Sequence, residues 1–132
     1  MYGRALIAAL LLTTVSGCGL WNQLNTRVEV SQLPLDALEV PAMVKLGQEV
    51  RVTLTVTTPG CEQFERGWVE FDESRRTATV FATKRLELRP NQACPADATP
   101  YKRSVVFTPQ RAGTYQVESW DKRIVRTLEV GE

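Results

Sequence analysis

The stretch VRVTLTVT, residues 50–57, alternates without a fault: Val50, Val52, Leu54 and Val56 fall on one side, and Arg51, Thr53, Thr55 and Thr57 on the other. A period of two sustained over such a run marks a β-strand with one buried face. Leu46-Gly47 turns the chain into it and Pro59-Gly60 ends it. The same signals, β-branched and aromatic runs broken by turn residues, recur on both sides of it, and no helical period appears.

Reading outward, seven strands are expected. Strand A covers residues 28–30 and 38–44, split around Pro34, and strand B is residues 50–57. Strand C is residues 68–71, followed by a polar turn at residues 72–75, and strand D is residues 77–84. Strand E is residues 101–108, strand F residues 114–120 and strand G residues 124–130. Residues 85–100, with RPNQACPADATP at their heart, read as a long irregular D–E loop. The fold class that follows is all-β, an antiparallel sandwich of about seven strands.

The first 17 residues do not belong to that domain. One positive charge, Arg4, precedes an apolar run at residues 5–15. At 1.5 Å per residue this run covers only about half of a ~30 Å hydrocarbon core, which suits a secretory signal and not a span. Its end, Val15-Ser16-Gly17-Cys18, resembles the lipobox of bacterial lipoprotein precursors. The resemblance implies cleavage before Cys18, a thioether from its sulfur to diacylglycerol, and acylation of the freed amine. Two or more chains, at about 0.8 kcal/mol per buried methylene, give stable anchoring. The alternative is a plain signal peptide cut nearby, with Cys18 left as a free thiol. Gly19 stands where an aspartate would favour inner-membrane retention in some bacteria, so the resemblance leans to an outer-membrane or surface lipoprotein of the cell envelope. The domain plan is a lipoprotein signal peptide at residues 1–17, a lipidated tether at residues 18–26, and the sandwich at residues 27–132.

With Cys18 so consumed, the three cysteines reduce to one pair, Cys61 and Cys94, in a compartment that permits disulfides. A bridge across that separation stabilises by about 3–4 kcal/mol in the chain-entropy description. Zinc is the rival, but two cysteines in a chain with no histidine make a poor ligand set.

Two stretches, VPAMVKLGQEVRVTLTV at residues 40–56 and VVFTPQRAGTYQV at residues 105–117, resemble the early and late strands of bacterial immunoglobulin-like modules. That resemblance covers residues 27–130 and speaks to fold, not function. It implies that Tyr115 forms a tyrosine corner at the E–F turn. In antibody domains the bridge joins strands B and F and packs on a tryptophan; here the cysteines lie outside those strands, so Trp68 has no such part and reads as ordinary core. If each strand runs antiparallel to the last, the B–C, D–E and F–G loops share one pole. Cys61 and Cys94 then meet there, and strand A, if continuous, starts there.

Chemistry is harder to find. The absence of histidine removes the commonest general base and metal ligand, and excludes a blue-copper site. No serine has a nucleophile-elbow context. Lys102 and Ser104 share a strand face, as many inert pairs do. Glu70, Asp72 and Glu73 lack calcium-loop spacing and read as a solvated turn. Sixteen basic residues face fifteen acidic ones, and Arg4 leaves with the leader, so the mature chain is formally neutral and nucleic acid is not an expected partner. Arg85, Arg89, Lys102 and Arg103 flank the stapled loops and form the candidate interaction surface. No enzyme activity, cofactor or metal is expected. The expected function is that of a lipid-anchored envelope protein acting as an interaction module or accessory subunit, with a protein partner in the envelope. The alternative is a small inhibitor or ligand-sequestering protein that uses the B–C, D–E and F–G loops.

Overall fold

The computed structural model describes residues 26–132. The expected signal peptide, Cys18 and the expected tether up to residue 25 lie outside the described residues. These form nine strands: β1 (Arg27–Gln32), β2 (Ala37–Glu39), β3 (Met43–Lys45), β4 (Val50–Pro59), β5 (Glu62–Asp72), β6 (Thr77–Leu88), β7 (Ala98–Phe107), β8 (Gly113–Ser119) and β9 (Val125–Gly131). The count exceeds seven because strand A is three short pieces, β1 to β3. Leu33 and Pro34 carry the chain off the first sheet, and Pro41 separates the second piece from the third. The long D–E loop shrinks to residues 89–97, since β6 runs on to Leu88 and β7 begins at Ala98.

Two sheets stack face to face. One is three-stranded and antiparallel, in the order β2-β4-β7. The other has six strands and is mixed, which corrects the expectation of purely antiparallel pairing: β6 with β8 and β3 with β9 run parallel. β6 organises the mixed sheet. β5 lines one of its edges throughout, while β1 and β8 share the other, β1 beside residues 83–88 and β8 beside residues 77–80. Antibody constant domains instead place the fourth strand in the sheet of the first two.

The alternation of β4 holds residue by residue. Val50, Val52, Leu54 and Val56 are fully buried, each contributing about 1.5–3 kcal/mol relative to exposure. Facing them are Ala78, Val80 and Ala82 of β6, Tyr115 and Val117 of β8, and Leu128 and Val130 of β9. Small residues on β5 and β6 let the layers approach. Gly67 pairs with Ala82, and a Cβ at Gly67 would stand 3.1 Å from Cδ2 of Leu54. At one end the core is aromatic, with the Phe71 ring 4.8 Å from Phe107 and 5.9 Å from Tyr115. The crossing from β1 to β2 closes the same core with Leu33 and Leu35, and the Trp120 indole N–H donates to the Leu33 carbonyl at 3.0 Å.

Candidate functional site

Cys61 and Cys94 form a disulfide with their Cα atoms 5.0 Å apart. The topology brings them together: β4 ends and β7 begins side by side, Pro59 opposite Ala98, while β5 begins beside the end of β6, Glu62 opposite Leu86. Gly60 makes the approach possible. Its φ is +56°, and a Cβ there would lie 2.9 Å from the Pro95 carbonyl oxygen. Under the bridge, Lys84 and Glu62 form a half-buried ion pair at 2.8 Å. β1 also starts at this pole, Arg27 opposite Leu88. The F–G turn points the same way but stops short, because β8 ends beside Val80. Eight residues of β6 separate it from the stapled loops, roughly 26 Å along the strand. The three loops therefore do not make one continuous surface.

The four basic residues are dispersed as well. Arg85 points outward from the mixed sheet and pairs with Glu87 at 2.9 Å. Arg89 lies just past β6, beside a shallow cleft of 330 Å³ that it lines with Gly60, Gln63 and Glu87. Lys102 faces outward from the other sheet, 3.6 Å from Glu39. Arg103 pairs with the inward-facing Leu54, and its guanidinium lies 5.1 Å from the Phe64 ring and 5.6 Å from that of Tyr101. Arg85 and Lys102 thus look in opposite directions, and both are matched by local carboxylates. Both flank the stapled loops in sequence, which gave no sign that they stand on different sheets.

A more coherent surface was missed. On the outer face of the mixed sheet Trp68 stacks on Phe81, with ring centroids 5.2 Å apart and planes within 8°. The Arg66 guanidinium covers the Trp68 ring at 4.5 Å. Val28 and Val30 continue the apolar surface, 46% and 55% exposed. Trp68 is therefore not core. The signal was present: with Ala78, Val80 and Ala82 inward, Phe81 must point out, and its cross-strand partner Trp68 with it.

The acidic turn is a structural device. Asp72 accepts hydrogen bonds from the Ser74 hydroxyl at 2.6 Å and the Arg75 N–H at 3.1 Å. The Ser74 bond, then the Arg75 N–H, holds its carboxyl below the usual range. Glu73 turns the other way and accepts from the Gln110 N–H at 3.1 Å. The Tyr115 hydroxyl sits between acceptors, 2.7 Å from the Arg111 carbonyl and 2.8 Å from Glu73 Oε1. Burial, and then the Glu73 carboxylate, raise the phenol's pKa. This bond back to Arg111 is the contact that a tyrosine corner makes. At the F–G turn the buried Ser119 hydroxyl donates to Asp121 at 2.6 Å and accepts from the Ile124 N–H at 3.1 Å. That hydroxyl, with Arg123, lowers the Asp121 pKa to about 2.

Among the described residues no three His, Cys, Asp or Glu side chains are grouped so as to hold a metal ion. Lys102 and Ser104 do lie on one strand face, but the lysine is directed to Glu39. What the surface offers is an aromatic and aliphatic sheet face beside the strand that leads into the domain. No protein-family model, curated protein or solved structure matches the chain.

Proposed function

We propose that this chain is a lipid-anchored, non-enzymatic interaction module of the bacterial cell envelope. The observation that carries the reading is the outer face of the mixed sheet, where the Arg66–Trp68–Phe81 stack adjoins exposed Val28 and Val30. Apolar surface of this kind, rimmed by charge, suits recognition of another protein. It adjoins β1, the strand that the tether from Cys18 reaches first. From Cys18 to Thr26 the chain spans at most about 29 Å, which keeps that face close to the membrane. In this reading the domain is a variant of the immunoglobulin-like module, with its fourth strand moved beside the third and the sixth, and Gly19, standing where an aspartate would favour inner-membrane retention, supports an outer-membrane or surface location.

The test compares the wild type with Cys18→Ala in a bacterial host supplied with a labelled fatty acid. The wild type is expected to carry label and to sediment with membranes. The variant should carry none and be released, with its domain folded. An unlabelled wild type, or a variant that stays fully membrane-bound, refutes the anchoring.

A further inference from the structure

β1 is an end strand of the mixed sheet, and all six of its residues are exposed. Its hydrogen-bonding parity can be worked out. The Leu33 N–H donates to the Ala82 carbonyl at 2.8 Å, and the β1–β6 register continues that pairing through Ser31–Lys84, Glu29–Leu86 and Arg27–Leu88. In an antiparallel ladder, alternate residues bond to one neighbour while those between them point away. The odd-numbered residues therefore face β6. The N–H and C=O groups of Val28, Val30 and Gln32 face the open edge.

Of the features common to protected edges, this strand carries only charge, in Arg27 and Glu29. It has no proline, no lysine and no bulge, and its register against β6 is regular. Two other strands at the ends of the sheets, β2 and β3, are three residues each. β5 and β7 lie against one another across the sandwich seam, where Phe64 and Tyr101 stack at 6.1 Å. Among the described residues, β1 is the end strand that is neither three residues short nor faced by another strand across the seam.

Its sequence is self-complementary. Two copies of β1 that pair antiparallel and keep their outer faces on the same side must match odd residues with odd and even with even. With the two-fold axis at Val28, Arg27 of each copy lies opposite Glu29 of the other, and the two Val28 residues exchange backbone bonds. An axis between Val28 and Val30 would set Glu29 against Glu29, which repels. An axis at Val30 would leave Arg27 and Glu29 without charged counterparts. Within one chain Arg27 and Glu29 already form an ion pair, so the same two charges, turned across the axis, close a four-membered alternating cluster.

From this charge complementarity and the open ladder we infer that β1 joins β1 of a second copy across a two-fold axis at Val28, making one continuous sheet of the two mixed sheets. The Val28, Val30, Trp68 and Phe81 surfaces of both copies then lie on a single side. The two leading segments depart beside the axis, within tether reach of one membrane, while the stapled loops point away from each other. The pairing uses backbone groups and two charges, so it does not depend on the lipid, and the Cys18→Ala form should pair as well.

The test is sedimentation of the full chain in detergent, and of its Cys18→Ala form, across micromolar to millimolar concentrations. A dimer is expected in both. Arg27→Glu and Glu29→Arg should each raise the dissociation midpoint about tenfold or more, since two attractive cross-strand pairs become repulsive. Mixed together, these two variants should form the heterodimer, an outcome that a merely intrachain role for the pair would not produce. Val28→Pro removes an edge-facing N–H and no bond to β6, so it should give a folded monomer that melts where the wild type does when diluted below its dissociation midpoint. Val28→Cys should cross-link on oxidation, whereas Val30→Cys, with the two residues roughly 13 Å apart along the strands, should not. A wild type that stays monomeric, single variants that remain monomeric when mixed, or cross-linking at Val30 in place of Val28 would overturn the inference.

Discussion

Ser119 shows how much one buried hydroxyl can hold. It donates to Asp121 and accepts from the Ile124 N–H, so Ser119→Ala removes both bonds and leaves that N–H unsatisfied inside the turn. The expected loss is about 1–3 kcal/mol, measured by denaturant unfolding at neutral pH. The variant should also change the acid limb of stability. Asp121 has a folded pKa of about 2, below its unfolded value, so its contribution is fully present above roughly pH 4 and is lost as pH falls toward 2. In Ser119→Ala the Asp121 pKa moves up toward the ordinary value, and the wild type's extra fall in stability across that window should shrink. An identical acid limb in the two proteins would show that Asp121 owes its low pKa to Arg123 alone. At this scale the sequence was uneven. Tyr115 was legible because it follows Ala112-Gly113-Thr114 at a turn, and its hydroxyl does reach back to Arg111. Trp68 was misplaced because bulk and apolarity suggested the interior, while the alternation of its neighbours already put it outside.

Among the elements, β4 was the easiest to read, since from Val50 to Thr57 every inward residue is apolar and every outward one is polar; only at its end does the pattern break, with Thr58 buried. β5 was seen only from Trp68 onward. Its first half, EQFERG, carries charges and a register shift between Phe64 and Arg66, which breaks the period on which sequence reading depends. Pairing partners were less accessible still. Alternation reports which face a residue takes, not which strand lies alongside, so the parallel contacts of β6 with β8 and β3 with β9 left no local trace. The disulfide was found because two independent arguments, the count of thiols and the shared pole, converged on it. Opening it with Cys61→Ser and Cys94→Ser together is expected to lower stability by about 3–4 kcal/mol, read from chemical denaturation. The effect should be concentrated at residues 89–97, whose amides should lose hydrogen-exchange protection while β4 and β8 keep theirs. Equal loss throughout would mean that the bridge supports the whole fold and not its own loop.

At the level of the whole molecule, the described chain enters at one pole, with Arg27 beside Leu88, and leaves at the other, with Gly131 beside Lys45. The general architecture, two β-sheets around one core, was legible from strand spacing; the distribution of the strands between the sheets was not. That long-range arrangement has a mechanical consequence. A pull applied between the leading segment and the last residue draws β1 lengthwise along β6, and β9 lengthwise along both β8 and β3. Every ladder hydrogen bond in those pairs is then loaded at once, in shear, instead of being peeled open one by one. In single-molecule stretching the domain should rupture at a distinctly higher force when held by these two ends than when pulled apart through cysteines placed at Gln48 and Gln110, neighbouring points at one pole. Equal forces in the two geometries would contradict this. A domain so strung is suited to bearing tension between whatever holds its leading segment and whatever grips its far end.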